Sequence, residues 1–394
     1  MNIYIYNCSN TYNYGSMMMG ENFIAYFNKI SGQNNHYYIE TQNQINIDRL
    51  IEATGFKSIQ AVNLDALFID NSSKYDYLQA LNGLKEVTSD FVNKINLVVV
   101  LGGDDFTEDY GWKGPVLNLI KFNILRKKGL KVVMLGQTMG PYRSFRKPLI
   151  KNLLKKIDKI YPRDPITYEY LNNLRLKNIS LTDDLALMPL SKQKMHERVN
   201  EYITYCPSEL IYKYSKEGGR EDWISFNLFM IDTIMHKFSD KKLVLLAHVL
   251  EPKHVDDRKI VNELYKICGD KYKDRIVLEN NEMYPYEVRS YIQQSLFTIS
   301  SRMHPVISSI QCEIPAIALS YSSKYWGIIG ERYELKDYII DVRYLSYDSM
   351  RELFVCLVEK IENEYKQIQQ KMLEKNKLAE EGITKTLKEI VDLL

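Results

Sequence analysis

The sequence predicts an α/β protein of two similar halves, each a parallel sheet with helices, ended by a long helix. Three observations predict it. Short apolar runs, at residues 97–101 and 243–247, recur between helix-length amphipathic stretches. The composition turns polar over residues 188–198, and a second strand–helix series begins after it. Residues 347–394 are charged and amphipathic at helical spacing. We therefore divide the chain into residues 1–190, residues 191–346 and a helical tail, 347–394.

In the first half, residues 2–7 form a strand. A polar turn with Asn13, Gly15 and Ser16 follows, then a helix over 17–30. Strand, glycine-bearing turn and helix N-terminus together can hold an anion or a hydroxyl-rich ligand. The turn lacks G-x-G-x-x-G spacing, so dinucleotide binding is a poor reading. Glu21 complements the helix dipole. A strand over 36–40 and a helix over 77–93 come next. Residues 95–101 form a buried parallel strand that ends in Gly102-Gly103-Asp104-Asp105. Glycine there lets a ligand approach the backbone; a tight turn with a capping Asp is the plainer alternative. A helix over 112–128 leads to a strand over 130–135, ending in Gly136-Gln137-Thr138-Met139-Gly140-Pro141. A strand over 157–161 ends in Pro162-Arg163-Asp164 and a helix, and residues 178–181 lead to Thr182-Asp183-Asp184. Polar and glycine residues thus fall at successive strand ends, where parallel sheets bind ligands.

The second half has a strand over 202–205, a helix over 222–238 and a strand over 243–249 that carries His248. The next helix opens near Asp256-Asp257 and runs to about residue 268. His248, His254, Asp256 and Asp257 raise the question of a metal. An Asp at a helix start is an expected cap, and no H-x-x-x-H pair shares a helical face, so we expect no metal. A strand over 275–278 and a helix over 286–294 precede the most informative stretch. It comprises a strand (296–299), Ser300-Ser301-Arg302-Met303-His304, a helix (305–312), a strand (314–319), then Tyr321 and Lys324. Loops after parallel strands open on one sheet edge, so Arg302, His304, Tyr321 and Lys324 can face one crevice. Two fixed cations, a titratable ring and a helix N-terminus suit a small dianion. The plainer alternative is an Arg and a His that cap a helix and solvate a loop. A strand over 338–342 precedes the tail.

Composition bounds the function. The 394 residues are 45% hydrophobic and 26% charged, as in globular proteins with a sizeable core. A net charge of +2 gives no global case for nucleic acid. The first residues lack a basic n-region and a long apolar stretch, and the apolar runs are strand-sized, so we expect neither a signal peptide nor a transmembrane segment. Five scattered cysteines without C-x-x-C spacing suit a reducing cytoplasm and no structural zinc. Thirty tyrosines fit sugar stacking, but a coding bias that also favours Asn, Lys and Ile explains them more plainly.

An ordered set of motifs carries a resemblance. It comprises Asn13-Tyr14-Gly15-Ser16, Gly102-Gly103-Asp104, Gly136 to Pro141, Pro162-Arg163-Asp164, Asp184-Leu185-Ala186, Ser300 to His304, Pro315, and Tyr321 to Lys324. The set resembles the polysaccharide pyruvyl transferase family over residues 3–330. The resemblance implies a glycosyltransferase type B-like fold, two Rossmann-like domains facing a cleft. It also implies transfer of the enolpyruvyl group of phosphoenolpyruvate onto two sugar hydroxyls, forming a ketal, in capsule, exopolysaccharide or cell-wall glycan assembly. Phosphoenolpyruvate is then a donor substrate, and no cofactor is required. Many members carry Asn-x-Gly-Asp in the first loop, where Ser16 ends the motif here. On this reading Arg302 and Arg163 grip carboxylate and phosphate. Lys324 adds a point charge, and Ser301 and Tyr321 line the donor. His304 protonates the donor or its departing phosphate. Asn13, Ser16, Gly103, Asp104 and Asp105 contact the acceptor, with Asp104 as a base. Arg163 and Arg302 come from different halves, so domain closure assembles the site. The acceptor sugar, its lipid or nucleotide carrier and the oligomeric state stay open. A lipid-linked acceptor would bring a cytoplasmic enzyme to the inner membrane face. Two alternatives remain: a nucleotide-sugar glycosyltransferase with Glu282 and Lys324 at a diphosphate, and a non-catalytic glycan-binding assembly protein.

Overall fold

The computed structural model describes residues 1–32, 34–62, 89–109, 111–194 and 199–394. The chain forms two compact units. The first comprises Met1–Thr11, Met19–Leu185 and Ala379–Leu394; the second comprises Tyr12–Met18 and Ala186–Leu378. The main division falls after Leu185, whereas composition placed it after residue 190. Two departures matter. The segment Tyr12–Met18, expected with the first half, groups with the second unit. The terminal helix Tyr347–Asp392 is divided between the units rather than forming a separate tail.

In the first unit β1 (Asn2–Tyr6), β2 (His36–Glu40), β3 (Ile59–Val62), β4 (Leu97–Leu101), β5 (Lys131–Gln137) and β6 (Lys159–Pro162) form one sheet. Their order is β3-β2-β1-β4-β5-β6, with every pairing parallel. All five residues of β4 are buried, because helices cover both faces of a parallel sheet. Val98, Val100, Val132 and Met134 pack with Leu119, Phe122 and Leu125 of the helix Lys113–Lys127. Ile150, Leu153 and Leu154 of the helix Lys147–Leu154 join the same core. Gly102 permits close strand packing: a Cβ there would lie 1.8 Å from the Gly136 carbonyl oxygen. Sheet packing alone therefore requires a glycine at this position. Residues 77–88 of the predicted helix over 77–93 lie outside the described residues, and Ser89–Val92 is helical.

In the second unit β7 (Tyr202–Cys206), β8 (Lys242–Leu246), β9 (Ile276–Glu279), β10 (Ser295–Ser300), β11 (Ala316–Ser320) and β12 (Ile339–Asp341) form the other sheet. Its order is β12-β11-β10-β7-β8-β9, again all parallel. Counted from its own first strand, this order repeats that of the first unit. Each sheet reverses direction of winding between its first and fourth strands, at β1/β4 and at β7/β10. The carboxyl ends of those strands diverge there and leave room for a ligand. The predicted strands are present, β2 with the expected ends and the others with shifted ones; β3 and the helices Gln44–Thr54 and Lys147–Leu154 were not foreseen. Among the described residues, no helix is long and apolar enough to cross a membrane.

Candidate active site

The second sheet's reversal is closed by local bonds. Ser301 N donates to the Cys206 carbonyl across β7 and β10 at 3.0 Å. The Ser300 hydroxyl accepts from Arg302 N at 3.0 Å and donates to Arg302 O at 2.7 Å, which fixes the turn after β10. Arg302 keeps extended backbone angles and begins the helix Met303–Gln311. Its Nη2 donates to Asp257 Oδ1 at 2.8 Å and to the Val255 carbonyl at 2.8 Å, and its Nε donates to Asp257 Oδ2 at 3.1 Å. Asp257 is fully buried and also accepts from Val249 N at 3.0 Å. Burial works against the charge on Arg302, but the Asp257 carboxylate, with Tyr321 and Tyr325, holds its pKa above the ordinary guanidinium value. Asp257 was expected to cap the following helix. It makes no cap bond; its carboxylate turns inward to orient Arg302.

His304 follows on the first turn of that helix. The segment around Asn13 reaches it from elsewhere in the sequence. Leu250 N donates to Tyr12 O at 2.9 Å, Asn13 bridges Val249, and Tyr14 N donates to His248 O at 3.4 Å. The helix Tyr14–Ser31 starts from this strap. A Cβ on Gly15 would lie 2.1 Å from His304 Nδ1 and 2.3 Å from its Cγ. A glycine here lets a helical backbone lie directly against the imidazole. Asn13 and Ser16 flank it, both half-buried.

His248, just past β8, is 1% exposed and packs edge-on to Tyr14, with ring centroids 5.5 Å apart. No hydrogen bond reaches its Nε2 among the described residues. Burial, and then the neighbouring His304, Arg302 and Arg289, hold its pKa well below the imidazole range, so it is neutral at pH 7. Of the residues weighed for a metal, Asp257 pairs with Arg302, and Asp256 with Arg258 at 2.7 Å. Glu282, weighed for a diphosphate, accepts from the Tyr12 hydroxyl at 3.3 Å.

Tyr321 and Lys324 follow β11. The Tyr325 hydroxyl donates to Ser301 O at 2.9 Å, tying that loop to the end of β10. Tyr321 stacks on Tyr214 at 5.3 Å, and Lys324 Nζ lies 5.2 Å from the Tyr321 ring centroid. The second unit thus carries Ser301, Arg302, His304, Tyr321 and Lys324 just beyond the ends of β10 and β11. It adds Asp257, His248 and Gly15. His248 lies just beyond the end of β8, and Asp257 at the start of the helix Arg258–Tyr272.

The first unit holds the rest. Gly103, Asp104 and Asp105 follow β4 at the reversal beside β1. Asp105 is exposed, and its Oδ2 accepts from Asn7 Nδ2 at 3.4 Å. Asn7 adopts φ +68°, a conformation that Asn tolerates better than most residues. The Asp104 carbonyl accepts from Thr107 N and Oγ1, at 3.1 and 2.9 Å. Arg163 departs from expectation. Its side chain is 1% exposed; Nη1 pairs with Asp184 Oδ2 at 2.7 Å, and Nε donates to Thr138 Oγ1 at 3.0 Å. A guanidinium expected to grip the donor is instead buried and already neutralised. Its neighbour Asp164 caps the helix Pro165–Asn173 through Thr167 N at 2.8 Å.

A family model described as polysaccharide pyruvyl transferase matches residues 48–323. No curated protein matches. Several solved structures are similar. UDP-GlcNAc 2-epimerase from Neisseria meningitidis, bound to UDP-GlcNAc, has 11% identity, covers 98% of each chain and gives a TM-score of 0.63. The pneumococcal O-GlcNAc transferase GtfA, in complex with UDP and GlcNAc, has 10% identity over 99% of this chain and 97% of that one, TM-score 0.59. A UDP-N-acetylglucosamine 2-epimerase from Listeria monocytogenes, described as putative, has 12% identity over 94% and 89%, TM-score 0.58. Such identities establish the fold alone. It is the expected one: two parallel-sheet α/β domains of glycosyltransferase type B kind, with a long C-terminal helix.

Proposed function

The chain belongs to the polysaccharide pyruvyl transferase family, and from that premise we propose that it moves the enolpyruvyl group of phosphoenolpyruvate onto two hydroxyls of a sugar. The product is a pyruvate ketal, made during capsule, exopolysaccharide or cell-wall glycan assembly. One observation carries the reading: Arg302 and His304 share the reversal of the second sheet, the first oriented by Asp257 and the second seated against Gly15.

The donor carries a carboxylate and a phosphate. Arg302 spends Nε and Nη2 on Asp257 and Val255, and among the described residues nothing engages Nη1. That nitrogen is left for one donor oxygen. Lys324 supplies a second positive charge. His304 gives a proton to C3, and C2 becomes oxocarbenium-like. One sugar hydroxyl forms the first C2–O bond, the C2–O bond to phosphate breaks, and the second hydroxyl closes the ring. Of the two hydroxyl protons, one replaces that given to C3 and one leaves with phosphate, so protons balance. Ser301 and Tyr321 line the donor. Asn13, Ser16, Gly103, Asp104 and Asp105 are assigned to the acceptor, with Asp104 as a base. Arg163 holds its own loop through Asp184.

The test is phosphate release from phosphoenolpyruvate with a lipid- or nucleotide-linked sugar. Loss of a general acid reduces turnover by about 10²–10⁴-fold, so His304→Ala should fall in that range. Wild-type turnover by that variant refutes the assignment. Inhibition by a nucleoside diphosphate, and not by phosphoenolpyruvate analogues, points instead to nucleotide-sugar transfer.

A further inference from the structure

We propose that an aromatic and basic patch of the first unit, around Trp112 and Phe145, docks this protein on the surface of an anionic lipid bilayer. Phe145 is 73% exposed, Leu149 47% and Trp112 42%. Exposed apolar side chains scattered singly need no explanation, but Phe145 and Trp112 flank one guanidinium. The Arg146 guanidinium carbon lies 4.5 Å from the Phe145 ring centroid and 5.1 Å from that of Trp112. Arg146 is itself fixed by Glu108, with Nε–Oε1 and Nη2–Oε2 both at 2.7 Å. The two rings are therefore braced by an anchored cation while they face solvent. Leu149 lies four residues after Phe145. The helix Lys147–Leu154 turns Ile150, Leu153 and Leu154 into the core, which leaves Leu149 outward.

Charge on this face departs from the rest of the chain. Residues 143–156 contain six basic residues and no acidic one, although the whole chain is only +2. Arg146 is neutralised by Glu108. Arg143, Lys147, Lys155 and Lys156 are exposed, and Lys151 is half-buried. Tryptophan favours the headgroup level, Phe and Leu gain by entering the acyl boundary, and Lys and Arg are drawn to anionic headgroups. A soluble polyanion would use the cations but leave Phe145 and Leu149 in water. A bilayer uses both, and that complementarity selects it. The inference does not depend on the reaction proposed above.

The test is co-sedimentation of the full chain with vesicles of phosphatidylcholine alone or mixed with phosphatidylglycerol. Binding to the mixed vesicles alone is expected, weakening as salt rises. Lys147→Gln and Lys151→Gln should each weaken it about fivefold. Phe145→Ser combined with Leu149→Ser should weaken it about tenfold or more, with thermal unfolding unchanged because both side chains face solvent. The proposal is overturned if the wild-type chain stays in the supernatant with mixed vesicles. It is equally overturned if binding follows the lysines but ignores the double serine variant, which would mark a site for soluble polyanions.

Discussion

Gly15→Ala separates the geometry of the site from the stability of the fold. Gly15 lies in the first turn of the helix Tyr14–Ser31 and does not have positive φ, so its backbone accepts alanine. In a helix interior that exchange gains about 0.5–1 kcal/mol in propensity, and less in a first turn. The new Cβ would meet His304 Nδ1 at 2.1 Å, Cγ at 2.3 Å and Cε1 at 2.7 Å. Ordinary carbon contacts lie near 3.5–4.0 Å, so the ring must retreat by about 1.5 Å. A misplacement of about 1 Å in a reacting constellation costs on the order of 10²-fold, or about 2.7 kcal/mol of barrier. Turnover by phosphate release should therefore drop at least about 100-fold. Overpacking costs about 1–3 kcal/mol, which the propensity gain partly offsets, so the chain stays folded. Gly114→Ala is the control, because a Cβ there meets nothing within 4 Å. Wild-type turnover in Gly15→Ala would refute the seating of His304 as an element of the reaction.

Three further outcomes follow from the buried charges. Asp257→Ala strands the Arg302 cation and should destabilise the chain by about 3–5 kcal/mol in urea unfolding, with Arg302→Met plus Asp257→Leu recovering most of the loss. Arg163→Met should behave likewise through Asp184, and adding Asp184→Leu should restore stability; full stability with lost donor affinity in Arg163→Met would contradict its buried placement. His248 sets a pH trend. Burial lowers its pKa in the folded chain, so above the unfolded value near 6.5 both states are neutral and nothing changes. Below that pH the unfolded chain takes up the proton first, and stability falls by about 1.4 kcal/mol per pH unit toward the folded pKa. His248→Gln should remove that slope in urea unfolding followed from pH 7 to acid, and an unchanged slope would count against it.

Much of the fold was legible because parallel strands buried on both faces are nearly continuous apolar runs, as in Leu97–Leu101. The residues after β10 and β11 were legible for a related reason: parallel strands send their following loops to one edge, so Arg302, His304, Tyr321 and Lys324 converge despite their separation. Asp257 was misread because capping and pairing look alike in sequence; only the fold shows its carboxylate turned toward Arg302, 45 residues away. Arg163 was misread for the mirror reason, since a strand-end arginine suggests a ligand until Asp184 is found beside it. The grouping of Tyr12–Met18 with the second unit depends on bonds to His248–Leu250, across more than half of the chain, and no local pattern encodes it. The helix Lys147–Leu154 escaped notice because Pro148 and three lysines bracket a short buried stripe.

The decisive observable is the fate of the second carbon of phosphoenolpyruvate, carried as a carbon-13 label and followed by NMR in the presence of a sugar acceptor. Catalysis at Arg302 and His304 predicts that the label enters a carbon bonded to two sugar oxygens, with one phosphate released per carbon transferred, and that Arg302→Met and His304→Ala halt both. Label that stays in phosphoenolpyruvate with each acceptor tried, while the same protein consumes a nucleotide sugar, would contradict it.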